Sequence, residues 1–113
     1  RWQSGLAVAD DHIGCHDWAM FYTPERGWLW ADCSFGSSAR RASDEARRKH
    51  YFGNLDPWRM VANSEFMADF TPAFDGVRWD PFDNQAGEAT VDGRGLDACE
   101  MRRTMELVEM ERL

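Results

Sequence analysis

The chain has no excess of positive charge, no long apolar run, no cysteine framework and no internal repeat. Thirteen Lys and Arg against twenty Asp and Glu give a formal charge of −7. That excludes the basic face needed to attract phosphates, and nucleic acid with it. No apolar stretch approaches the ~18–20 residues of a membrane-crossing helix. The three cysteines, Cys15, Cys33 and Cys99, cannot all pair with one another, and their spacing fits neither a disulfide scaffold nor a zinc ribbon. They read as small, half-buried hydrophobes. There is no initiator methionine or signal peptide. The opening RWQSGLAVAD reads as a strand already under way, as expected of a processed protein or a piece of a longer one, and leaves the compartment undetermined.

Apolar material is plentiful. Six tryptophans and seven phenylalanines in 113 residues are enough for a modest core in one whole or partial domain. Arg1 to Ala9 reads as a first strand, DDHIG as a turn, and the aromatic run Cys15 to Thr23 as a second strand. PERG carries turn chemistry, Trp28 to Asp32 returns as a third strand, and CSFGSS closes the hairpin. RRASDEARRKHYFG suits a helix, with Ser43 as cap, acids in its first turn, bases in its last, and Gly53 as its stop. It reads as a charged surface helix, with contact to an anionic substrate as the alternative. Arg59 to Phe70 reads as a strand, although its period also allows a helix. Short strands are expected at Val77–Trp79 and Glu88–Val91 among loops. Asp97 and Glu100 form a capping box that favours a helical turn, followed by a strand. The whole is an α+β unit: an antiparallel sheet with one or two short helices.

The chemistry concentrates in GCHDWAMFYTPERGWLWADCSFG. Strand alternation puts His16, Trp18, Met20 and Tyr22 on one face, and Trp28, Trp30 and Asp32 on one face of the next strand. Register decides whether the faces coincide. If Thr23 pairs with Trp28, Asp32 falls opposite Ala19, away from His16. If Tyr22 pairs with Trp28 across the five-residue loop 23–27, Asp32 falls opposite Trp18. His16 is then its diagonal neighbour, roughly 7–8 Å away between Cα atoms. An aspartate on one imidazole nitrogen fixes the tautomer and supports the imidazolium, and the other nitrogen can then activate a nucleophile.

His16, Trp18, Tyr22, Gly27, Trp28, Asp32 and Gly36, in that order and spacing, resemble the His and Asp blocks of the transglutaminase-like superfamily of papain-related cysteine enzymes. The opening RWQSGL resembles the strand that precedes this histidine strand. The likeness covers residues 1–36, with 37–113 as the helix, short strands and loops completing the unit. Cys33 departs from it, standing where the family usually has proline. The resemblance implies His16 as general base and imidazolium partner, Asp32 as its orienting carboxylate, and no cofactor. It also implies a nucleophilic cysteine on a helix upstream of the first strand, so that the parent would be a peptidase, amidase or acyltransferase. In bacterial-type members peptide or cell-wall hydrolysis is at least as common as crosslinking. The implied partners are therefore a peptide or protein substrate, cell-wall peptide included, and the missing helical part of the domain. Self-association through the uncovered surface is also expected. The resemblance favours an extracytoplasmic or cell-envelope location.

Other assignments compete for the same residues. Cys15 should face away from His16, Cys33 has the same difficulty beside Asp32, and Cys99 is remote. None is expected at a helix N-terminus that would favour its thiolate. His12, Cys15 and His16, with Asp32, meet a short zinc spacing, but Cys15 and His16 alternate across the strand, so no metal is assigned. Asp80, Asp83, Asn84 and Glu88 lack the spacing of a calcium loop. Trp18 and Trp28 are expected to wall a substrate groove, with Arg59 and Asn63 exposed to ligand across it. Trp2, Trp58 and Trp79 would suit stacking on sugar. A binding module for peptide or glycan, keeping the fold without a nucleophile, is the alternative to an enzyme.

Overall fold

The computed structural model describes residues 1–9, 12–78, 87–97 and 99–111. It is α+β. Strands β1 (Trp2–Ala9), β2 (His12–Thr23) and β3 (Gly27–Ala31) lead into helices α1 (Cys33–Arg41) and α2 (Glu45–His50). After these come β4 (Phe52–Gly53), β5 (Arg59–Asn63), β6 (Thr90–Val91) and β7 (Arg94–Gly95). The first five strands form one antiparallel sheet in the order β4-β3-β2-β1-β5, and β6 and β7 form a separate hairpin. No helix among the described residues is long and apolar enough to cross a membrane.

The β2–β3 register pairs Tyr22 with Trp28 and Ala19 with Ala31. Thr23 also pairs with Gly27, so the turn is three residues rather than five. Gly27, at φ +74°, supplies the left-handed step that lets so short a turn close. Because paired residues share a face, His16, Trp18 and Met20 project on the same side as Gly5, Gln3 and Trp30. Leu6, Cys15, Phe21 and Leu29 project on the other side.

At the other edge, β1 pairs with β5 through an irregularity between Ser4 and Gly5. A bulge increases the local twist of a strand pair. Gly5 is required there, because a Cβ at this position would run into the carbonyl of Met60. Neighbouring strands lie about 4.8 Å apart, so a flat sheet would hold Arg59 far from the end of β3. Arg59, opposite Ala7 at the start of β5, nonetheless reaches Asp32 (below).

Several expectations are corrected. CSFGSS does not close the hairpin as a loop but opens α1, because the Asp32 carboxylate accepts the Phe35 N–H and caps the helix. Ser43 does not cap the second helix. It takes the left-handed position after α1 (φ 56°), where Ser43 N–H bonds Arg40 and Asp44 N–H bonds Ala39, a Schellman ending. Asp44 then caps α2 through Arg47 N–H. The second strand begins at His12, within the expected turn, whose Asp10 and Asp11 lie outside the described residues. α2 ends at His50, and Gly53 lies in β4, not at a helix stop. β5 ends at Asn63, well short of Phe70. Val77 and Arg78 are not in a strand, and β6 spans only Thr90–Val91. Trp79, Asp80, Asp83 and Asn84 lie outside the described residues, and with them one of the three sugar-stacking tryptophans and three of the four calcium candidates. The Asp97–Glu100 box forms: Asp97 Oδ1 accepts Glu100 N–H and Glu100 Oε2 accepts Asp97 N–H. No strand follows it among the described residues.

Candidate active site

His16 lies mid-strand in β2, and Asp32 stands where β3 ends and α1 begins. The Tyr22–Trp28 register makes them diagonal neighbours on one face, and His16 Nε2 and Asp32 Oδ2 are 2.8 Å apart. Asp32 is buried, whereas the His16 side chain retains 19 % of its exposure. Phe35 of α1 stacks on the imidazole at 4.9 Å, and Trp18 lies 6.4 Å from it.

The carboxylate is saturated with donors. Oδ1 accepts the Ser34 hydroxyl and the Phe35 N–H, each at 2.9 Å. Oδ2 accepts His16 and, at 2.9 Å, Arg59 Nη2. Four donors match the four lone-pair sites of an ionised carboxylate. Burial opposes the charge, but the Phe35 N–H, the His16 ring and the Ser34 hydroxyl outweigh it and hold the Asp32 pKa below its ordinary 3.8. The Arg59 guanidinium acts in the same direction.

An ionised Oδ2 requires a donor at Nε2, since a bare ring nitrogen would set two lone pairs against each other. The neutral ring therefore carries its proton on Nε2, and Nδ1 is the basic nitrogen. Ser34 Oγ also lies 3.2 Å from Nε2. Its proton goes to Asp32, and the adjacent Nε2 carries a proton of its own. Ser34 is thus a second donor to Asp32, not an activated nucleophile.

Of the four expected groove residues, Trp18 and Arg59 line a common cleft and Trp28 and Asn63 do not. Arg59 lines the same cleft as Trp18, but its side chain is only 4 % exposed and is ion-paired to both Asp32 and Asp56. Trp18 is buried, its indole N–H donating to Gln3 Oε1 at 2.9 Å, and it forms one wall of a cleft of about 310 Å³. The second tryptophan of that cleft is Trp30, not Trp28, with Asn54, Leu55, Asp56, Arg59 and Val61 around it. Trp28 sits towards the turn, opposite Tyr22, with the Arg1 guanidinium 4.1 Å above its ring. Asn63 does not line this cleft: it pairs with Ser4, and its Oδ1 accepts Glu65 N–H.

Cys15, opposite Leu6, is on the face away from His16. Cys33 is the first residue of α1, so it does occupy a helix N-terminus, contrary to expectation. There it is exposed, beside a cavity shared with Arg40, Arg48, Tyr51 and Phe52. Cys99 is exposed in the tail turn. The His12 side chain lies outside what is described, and Cys15 and His16 point to opposite faces. No group of three metal-binding side chains occurs among the described residues.

Sequence reasoning missed the residues that hold Arg59 in place beside Asp32. Asp56 Oδ2 accepts the Tyr51 hydroxyl at 3.0 Å and Arg59 Nη2 at 3.2 Å, while its Oδ1 accepts Trp58 N–H. Burial, then the Asp56 carboxylate, raises the Tyr51 pKa above 10. Of these residues only the Asp32 cap had a local signal, an aspartate three residues before Phe35 at the end of a strand. Arg59 opens β5 and Asp56 lies in the segment before it, and residue spacing does not say that either meets the Asp32 cluster. Compared with protein-family models, curated proteins and solved structures, the chain matches none.

Proposed function

We propose that this chain is the C-terminal, sheet-bearing part of a transglutaminase-like cysteine peptidase, amidase or acyltransferase. It supplies the base and the orienting carboxylate to a thiol carried by sequence N-terminal to Arg1. The observation that supports this is the 2.8 Å bond between a partly accessible His16 and a buried, ionised Asp32. In this reading His16 Nδ1 takes the thiol proton, giving a thiolate–imidazolium pair stabilised by Asp32. The thiolate attacks an amide carbonyl, and the imidazolium returns the proton to the departing amine. The resulting acyl-enzyme is resolved by water or a second amine, with His16 again as base. The cleft between Trp18, Trp30 and Val61, on the same face, would take the substrate chain.

The test is turnover of peptide amides and esters by the 113-residue chain and by a product that includes the coding sequence preceding Arg1. The longer product should be active and lose at least roughly 10³-fold with His16→Ala, and the chain alone should be inactive. His16-dependent turnover by the chain alone would refute the division of labour. An inactive longer product that still bound peptide or glycan through the cleft would establish a binding module instead.

A further inference from the structure

Arg59 shares one oxygen atom with the histidine: Asp32 Oδ2 accepts both His16 Nε2 and Arg59 Nη2. The same Nη2 reaches Asp56 Oδ2. Three aromatic rings pin the guanidinium, with Phe35 at 4.4 Å, Trp18 at 5.6 Å and Tyr51 at 6.0 Å. Phe35 is also the ring stacked on His16. Arg59 Nε and Nη1 are buried and have no hydrogen-bond partner among the described residues. Leaving two such donors unsatisfied is costly. Well-packed apolar side chains would often stabilise the fold as much or more. The arrangement therefore calls for a role beyond stability.

The charges suggest that role. Asp32, Asp56 and Arg59 sum to one negative charge, which a protonated His16 would balance. An Arg59 unopposed by Asp56 would neutralise Asp32 and leave an imidazolium without support. We propose that Arg59 is a positioning residue that fixes the Asp32 carboxylate against His16, with Asp56 as the counter-charge that keeps Asp32 available to the imidazole. This rests on the base-and-orienter reading of His16 and Asp32. Both residues line the cleft, but the role assigned to them acts through Asp32 and needs no contact with substrate.

The test reads the histidine directly. Long-range ¹H–¹⁵N correlation spectra of the ¹⁵N-labelled chain should show His16 as the Nε2–H tautomer, with a downfield, exchange-protected proton. Arg59→Met should shift that proton upfield and speed its exchange roughly tenfold, as expected for a weakened charge-assisted bond. Arg59→Lys, which keeps the charge without the planar fork, should lie between the two. Asp56→Asn leaves every partner of His16 in place and should still shift the proton upfield. It decides the matter if Arg59→Met does not fold. A His16 Nε2–H signal at its wild-type position and exchange rate in folded Asp56→Asn or Arg59→Met would overturn the role of Arg59 while leaving the His16–Asp32 reading intact. A wild-type ring protonated on Nδ1 instead would overturn both.

Discussion

Replacing Asp32 by asparagine swaps one oxygen of a buried carboxylate for an NH₂ and removes one charge. Asn Oδ1 could still accept the Phe35 N–H, so the α1 cap largely survives. At the other position the new NH₂ would face two donors, His16 Nε2 and Arg59 Nη2, where an acceptor stood before. The Asp32 and Arg59 side chains are 0 % and 4 % exposed, so water does little to compensate. Removing one partner of a buried pair costs about 3–5 kcal/mol, a large share of the ~5–15 kcal/mol that holds a domain folded. In urea, with a slope of about 2 kcal/mol per M, the midpoint should fall by roughly 1.5–2.5 M. Tryptophan fluorescence reports the transition, because Trp18 is buried beside the cluster. Asp32→Asn combined with Arg59→Met should cost less than the two single changes summed, by at least about 1 kcal/mol. A loss under about 1 kcal/mol for Asp32→Asn, or strict additivity in the double variant, would refute the buried-cluster argument.

Two further outcomes follow from the same geometry. Gly5→Ala would drive a methyl group into the Met60 carbonyl, and opening the β1–β5 pair should cost about 1–3 kcal/mol or more in thermal unfolding; a wild-type Tm would contradict the tight approach. Because the folded Asp32 pKa lies below 3.8, its contribution to stability is complete above that value. It is lost as pH falls through the lower, folded value. Acid titrations of stability in wild type and Asp32→Asn should therefore converge below pH 3.8, and parallel curves throughout that range would show that the carboxylate is not linked to folding.

The hairpin was legible because its chemistry is local. Alternation along β2 and β3 and the length of the turn between them define two registers, one of which brings His16 and Asp32 together, and the Tyr22–Trp28 pairing is that one. The capping box at Asp97 was equally local. Ser43 was misplaced because one residue can either end a helix or begin the next, and the left-handed backbone at Ser43 is decided by packing of α1 against α2. The β6–β7 hairpin carried an Asp92-Gly93 turn with both residues at positive φ, a signal passed over among the surrounding loop residues. Arg59 does line the cleft, but its burial is set by Asp32, Trp18 and Phe35, all distant from it in sequence. That is tertiary information, and no window around Arg59 contains it.

In the proposed function His16 and Asp32 serve a thiol outside residues 1–113. Mass spectrometry of the longer product, incubated with an activated peptide ester and quenched in acid, tests it most directly. A single acyl adduct is expected on a cysteine N-terminal to Arg1, absent in His16→Ala. An adduct on Cys15, Cys33, Cys99 or Ser34, or one that persists in His16→Ala, would contradict it.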